Sequence, residues 1–306
     1  MISMVLLPAA LTLHTIHTSA LDSKAATNPV SSPYGYTVSL LLFIFPILVI
    51  GFWFIPKEGI KISRKSFWWT IGLLFPLGAG LDFFFARYFF TFPNRAATLG
   101  VLAPALGTPI PVEEYVFYLT GFLCTLLLYI WFDEYWLDAY STGNEAVQRS
   151  EVKRLFRPHY ESIFLAVALV TGAIVYKKYF SNFPDGFPGY FIFLVLIALV
   201  PPSALLPTVR PVINWRAFSF TAFFILLVSL LWEVTLAIPY GWWNFADSQM
   251  LGIRIAAWGG LPIEEVVLWN AVTCATVVVY ETVKCWHASR RPRLHAMDER
   301  SSGGHG

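Results

Sequence analysis

Charge is what this 306-residue chain has least of: Asp, Glu, Lys and Arg make up 13% of it, about half the share usual in a soluble globular domain. That scarcity, beside 57% hydrophobic residues, excludes an ordinary water-soluble protein. The formal net charge is only +2, so no basic field exists to neutralise phosphates and no nucleic-acid partner is expected. Cysteine is sparse too. Cys124, Cys274 and Cys285 lie in or beside apolar segments without Cys-x-x-Cys spacing, which argues against a disulfide framework or zinc site and for packing roles. The histidines (His14, His17, His159, His287, His295, His305) fall outside the apolar segments, and none is spaced as a membrane metal site. No Gly-x-Gly-x-x-Gly follows a strand pattern, so a Rossmann-bound flavin or nicotinamide is not indicated. Neither a metal nor a cofactor is expected.

What the chain has is apolar length. The windows 36–56 and 186–209 contain no charged residue and are long enough to cross a bilayer. Hydropathy predicts an all-α polytopic membrane protein with about seven transmembrane helices, at 36–56, 67–90, 112–132, 161–180, 188–209, 216–238 and 263–285. The short apolar run Met4–Leu13 lacks the basic flank of a good signal peptide, although Thr18-Ser19-Ala20 resembles a cleavage site. Residues 1–35 therefore stand as a signal or an extra apolar segment.

Basic residues orient the bundle. Lys57, Lys61, Arg64, Lys65, the 149–157 cluster, Arg210, Arg216 and the tail from Lys284 collect on one side, fifteen of the 21. By the positive-inside rule that side, with the C-terminus, is cytoplasmic.

Self-similarity organises the rest. Pro111-Val112-Glu113-Glu114 matches Pro262-Ile263-Glu264-Glu265 at an offset of 151, and the same offset carries Asp82 onto Glu233. Asn94 with Leu99-Gly100-Val101 loosely echoes Asn244 with Leu251-Gly252-Ile253. The pattern predicts two parallel three-helix repeats, 36–132 and 188–285, joined by a loop and connector helix at 133–187 and followed by a basic tail at 286–306. Each proline is expected in a first helical turn, with acids near the positive end of the helix dipole. One such motif is ordinary helix chemistry. Two copies, each with a partner acid 31 residues earlier, gather six carboxylates towards the non-cytoplasmic face.

An acid such as Asp at a membrane-helix centre costs roughly 2.5–3.5 kcal/mol, so such residues usually face a bundle interior and serve function. Adjacent carboxylates in low dielectric titrate as a cluster, and a protonated acid beside an ionised one is what general acid and base catalysis needs. Aromatic residues crowd both motifs, Phe117, Tyr118, Trp232 and Trp243 among them. They suit an interfacial belt, or a pocket whose π faces stabilise a cation. Arg87 is either an ion-pair partner for Asp82 or a side chain snorkelling to the interface.

The doubled Pro-x-Glu-Glu, with Tyr115-Val116-Phe117-Tyr118 after the first copy and Trp232-Glu233 before the second, resembles the membrane-integral lycopene cyclases. These comprise the bacterial heterodimeric type, its fused archaeal and bacterial form, and the fungal carotenoid cyclase domain. The resemblance spans about residues 36–285. It implies cofactor-independent, acid-initiated cyclisation of the linear ends of a carotenoid. Glu113 and Glu264 would be the leading essential acids, with Glu114 and Glu265 beside them and Asp82 and Glu233 as orienting groups or bases. Phe117, Tyr118, Trp232, Trp243, Asn94 and Asn244 would contact substrate. As partners it implies an apolar polyene within the bilayer, the lipid itself and carotenoid-pathway enzymes. The first copy lacks the Gln that usually follows its aromatic pair, and the second continues Val267-Leu268-Trp269. A paralogue acting on another polyene is therefore an alternative. So is a proton-coupled transporter, with Pro46, Pro76 and Pro201-Pro202 as candidate helix breaks. A retinal-type receptor would need a Schiff-base lysine within the last span, where Lys284 stands only at the end.

Overall fold

The computed structural model describes residues 32–60, 62–141 and 160–302, the stretch 289–302 by its backbone alone. The run Met4–Leu13, the cluster at 149–157, and His14, His17, His159 and His305 lie outside the described residues, as do the side chains of the basic tail.

Seven helices among the described residues are long and apolar enough to cross a membrane. They are α1 (Gly35–Lys57), α2 (Arg64–Phe89), α3 (Val112–Trp136), α4 (Tyr160–Tyr179), α5 (Gly189–Val209), α6 (Trp215–Ala237) and α7, whose apolar part is Ile263–Ala288. Each lies within three residues of its predicted bounds, except where α3 runs on to Trp136 through a final π-helical turn, Phe132–Trp136. The helix of α7 continues to Ser302. The architecture is thus that of a multi-pass membrane protein. Large apolar side chains on its outside, such as Phe45, Phe52, Trp53 and Phe164, are exposed, as a lipid-facing surface requires.

Helices α3 and α7 form the centre. About two thirds of each is buried, against 22% of α1 and of α4. Helix α3 packs on α1, α2 and α6, α7 packs on α2, α5 and α6, and the two touch each other. Helix α4 leans on α5.

An all-α reading misses three short antiparallel strand pairs at one end of the bundle. Strand β1 (Phe90–Thr91) pairs with β4 (Asn244–Phe245), tying the loop after α2 to the loop after α6. Strand β2 (Leu102–Ala103) pairs with β3 (Ile110–Pro111), and β5 (Arg254–Ile255) with β6 (Leu261–Pro262). These hairpins lead straight into α3 and α7, where Val112 N–H donates to Val101 O and Ile263 N–H to Ile253 O, both at 3.0 Å. Backbone groups near a bilayer need such internal partners. The prolines differ slightly from expectation. Pro111 is the cap preceding α3, extended at ψ 139°, and Pro262 closes β6. A proline there ends the hairpin without forfeiting a helical N–H.

The three cysteines are free thiols, Cys124 and Cys285 being buried in the two hydrophobic clusters of the core.

Candidate functional site

Glu113 and Glu114 are the second and third residues of α3. Successive helix positions differ by about 100°, so the two point apart. Glu113 turns back to the loop, where Oε1 accepts from the Leu99 N–H at 2.6 Å and from Thr37 Oγ1 at 2.6 Å. Glu264, its counterpart on α7, accepts the Leu251 N–H at 2.5 Å. Both are loop anchors in this structure.

Glu114 and Glu265 turn into the bundle. Glu114 faces the Tyr36 hydroxyl and Asp82; Glu265 faces the Tyr190 hydroxyl and Glu233. One turn further along α3, the Tyr118 hydroxyl donates to Asp82 Oδ1 at 3.3 Å. One turn along α7, Trp269 Nε1 donates to Glu233 Oε1 at 2.7 Å. Each cluster therefore combines a Tyr that opens one helix, an acid near the end of the next, and a Glu with a ring donor on the third.

All six carboxylates are buried, none more than 8% exposed. Asp82 Oδ2, Glu114 Oε1, Glu233 Oε2 and Glu265 Oε1 receive no N–H or O–H donor. Two carboxyls that face each other share a hydrogen bond only when one of them carries a proton. Among the described residues no ion pair reaches any of the six. Arg87 is not the partner of Asp82: it is exposed, donates to the Tyr88 hydroxyl and stacks on that ring at 4.4 Å. It snorkels, because its helix position faces outward while Asp82 faces in.

Glu114, Glu233 and Glu265 line one small cavity. Its walls include Phe117, Tyr118, Trp232 and Trp243, together with Tyr36 and Tyr190. Phe117 stacks on Trp232 at 5.5 Å, and Trp232 meets Trp243 at 5.0 Å. Asp82 stands behind Glu114 and Tyr118. Asn94 and Asn244 are not brought to the cavity. Asn94 ties its loop to Tyr240 O at 2.9 Å, and Asn244 sits exposed on β4, consumed by the strand pairing.

Tyr36 and Tyr190 were missed in the sequence. Their signal was the pair Gly35-Tyr36 and Gly189-Tyr190 opening α1 and α5, obscured because the spacing there is 154 instead of 151. Lys284, the lysine a retinal-type site would need, is engaged at the opposite end of α7 by Glu281 at 3.2 Å, Glu134 at 3.7 Å and Asp133 at 3.8 Å.

No family model, no curated protein and no solved structure matches this chain.

Proposed function

We propose that the chain is a lycopene-type end-group cyclase, built of two parallel three-helix repeats (α1–α3 and α5–α7) with α4 as connector. The repeat reading is supported by the paired contacts Tyr118 to Asp82 and Trp269 to Glu233, each spanning 36 positions. The distribution of Lys and Arg favours a cytoplasmic C-terminus and places the acid end at the other face.

One observation carries the activity: two carboxyl pairs without a cation border a single cavity walled by aromatic rings. A protonated carboxyl of Glu114 or Glu265 delivers its proton to the terminal double bond of the polyene. The tertiary cation that forms is attacked by the next suitably placed double bond, closing a six-membered ring and moving the charge into it. A carboxylate then takes a proton from a carbon adjacent to the cation, restoring a double bond. One proton enters and one leaves, so the product is an isomer of the substrate. Phe117, Trp232 and Trp243 shelter the cation from water and stabilise it through their π faces. Asp82 and Glu233, held by Tyr118 and Trp269, keep the proton of each pair available. This reading shifts the leading acids from Glu113 and Glu264 to their neighbours, which border the cavity.

Expression in a lycopene-accumulating host, followed by pigment chromatography, tests it. Monocyclic or bicyclic carotenes are expected, with Glu114→Gln and Glu265→Gln each lowering ring formation at least 100-fold, the scale of a lost proton-transfer group. Unchanged lycopene beside well-inserted wild-type protein would overturn the assignment.

A further inference from the structure

A second void adjoins the acid cavity. It is an apolar groove between α2, α5 and α7, and it shares the wall residues Tyr118 and Leu268 with the acid cavity. A smaller space at Phe117, Phe122 and Leu268 lies between the two, sharing wall residues with each. On α7 the groove runs from Leu268 to Val279, about 16 Å at the helical rise. Its rim residues Leu77 and Ile197 are exposed on the outer surface of the bundle. On α5 its wall is the π-helical stretch Leu194–Leu199 followed by Pro201 and Pro202. Those prolines withhold the donors that a regular helix would spend on Ile197 and Ala198, and the widened turn sets the wall back. Gly78 on α2 completes the bore: a Cβ there would lie 2.5 Å from the Tyr118 ring.

The equivalent space in the other half is filled. Where the open groove has Leu81, Tyr118 and Ile197, the matching positions hold Trp232, Trp269 and Phe43, at offsets of 151, 151 and 154. Every replacement is a larger ring. Phe43 stacks on Trp269 at 5.7 Å and meets Trp232 edge-on at 5.6 Å, all three being buried.

We infer that the α2–α5–α7 groove is the binding site for the long apolar chain of an isoprenoid hydrocarbon that enters from the bilayer and threads its end past Tyr118 and Leu268 to the acids. Resting on the cyclase reading for the reacting end, the inference adds that the protein has one such site, its symmetry mate being plugged by Phe43, Trp232 and Trp269. A two-ended substrate then receives one ring per binding event. It must leave and return reversed to receive the second.

The full chain in lipid nanodiscs, photolabelled with a diazirine-bearing isoprenoid hydrocarbon of carotenoid length, tests this by peptide mapping. Labelling is expected on 74–81 and 193–202, at least tenfold reduced by excess unlabelled hydrocarbon and by Ile197→Trp at the exposed rim. Ala275→Phe, deeper in the groove, should act likewise, and Ala168→Trp on α4 should have no effect. In the lycopene-accumulating host the monocyclic product should rise before the bicyclic one. Label spread evenly over α1 and α6, or unaltered by both groove substitutions in folded protein, would overturn the inference, as would bicyclic product formed without a monocyclic phase. Ring formation with such diffuse label would spare the cyclase reading and remove the groove. Competed groove label without any ring formation would support the groove and remove the cyclase reading.

Discussion

The two ends of the central helix pair both bury acids, yet they are built on opposite logic. At the far end, Asp133, Glu134 and Glu281 converge on Lys284. Tyr129 donates to Glu281 at 3.1 Å and packs edge-on against Tyr280. At the near end Asp82, Glu114, Glu233 and Glu265 meet only each other and the donors of rings, and three of them border empty space. Burial of carboxylates in a bundle is therefore not by itself a sign of chemistry. An acid cluster gathered on a lysine is a clamp between helices; one left without a cation and facing a void is the arrangement on which the proposed proton transfer rests.

The sharpest test of that contrast removes the cation. Lys284→Met leaves three acids without a cation and should cost about 3 kcal/mol, the low end for breaking a buried ion pair. Thermal unfolding in detergent would read this as a lowered Tm, while ring formation per folded molecule stays within about twofold. A large loss of ring formation at unchanged Tm would break the division between clamp and site. Within the acid end, Trp269→Phe deletes the 2.7 Å donor to Glu233 and should cost about 1–2 kcal/mol, whereas Tyr118→Phe removes a 3.3 Å contact and should cost under about 1 kcal/mol. Equal losses in denaturant unfolding would show that the two halves bear the same load. The smallest effect is expected from Glu113→Gln, whose amide oxygen still accepts the Leu99 N–H. It should lower stability by under about 1 kcal/mol and leave ring formation within about fivefold, in contrast to Glu114→Gln. A loss at Glu113→Gln as deep as at Glu114→Gln would return the leading role to the loop-facing acid.

Several of these features were legible in the linear chain. The spans could be placed because hydropathy is a local sum over about 20 residues, and Asp82, Glu233 and the two Glu-Glu pairs stood out because an acid in such a window is rare. Arg87 was ambiguous for the reason that separates adjacent helix positions: a shift of one residue turns a side chain by about 100°, from protein interior to lipid. The same rotation hid the difference between Glu113 and Glu114. Tyr36 and Tyr190 were hidden otherwise, since a tyrosine opening an apolar helix reads as an interfacial ring until its hydroxyl is seen beside a buried carboxyl.

By itself, then, the sequence determined that the chain has seven segments long and apolar enough to cross a membrane and that its Glu-Glu pairs and their upstream acids recur at a fixed interval, because length, hydropathy and spacing are properties of contiguous residues. Only the tertiary structure decided which glutamate of each pair faces the cavity, which acids receive Lys284, and where the rings of Phe43, Trp232 and Trp269 pack together. Those outcomes depend on rings and charges brought together from helices far apart in the chain. Phe43 against Trp269 and Asp133 against Lys284 are contacts that no local pattern contains.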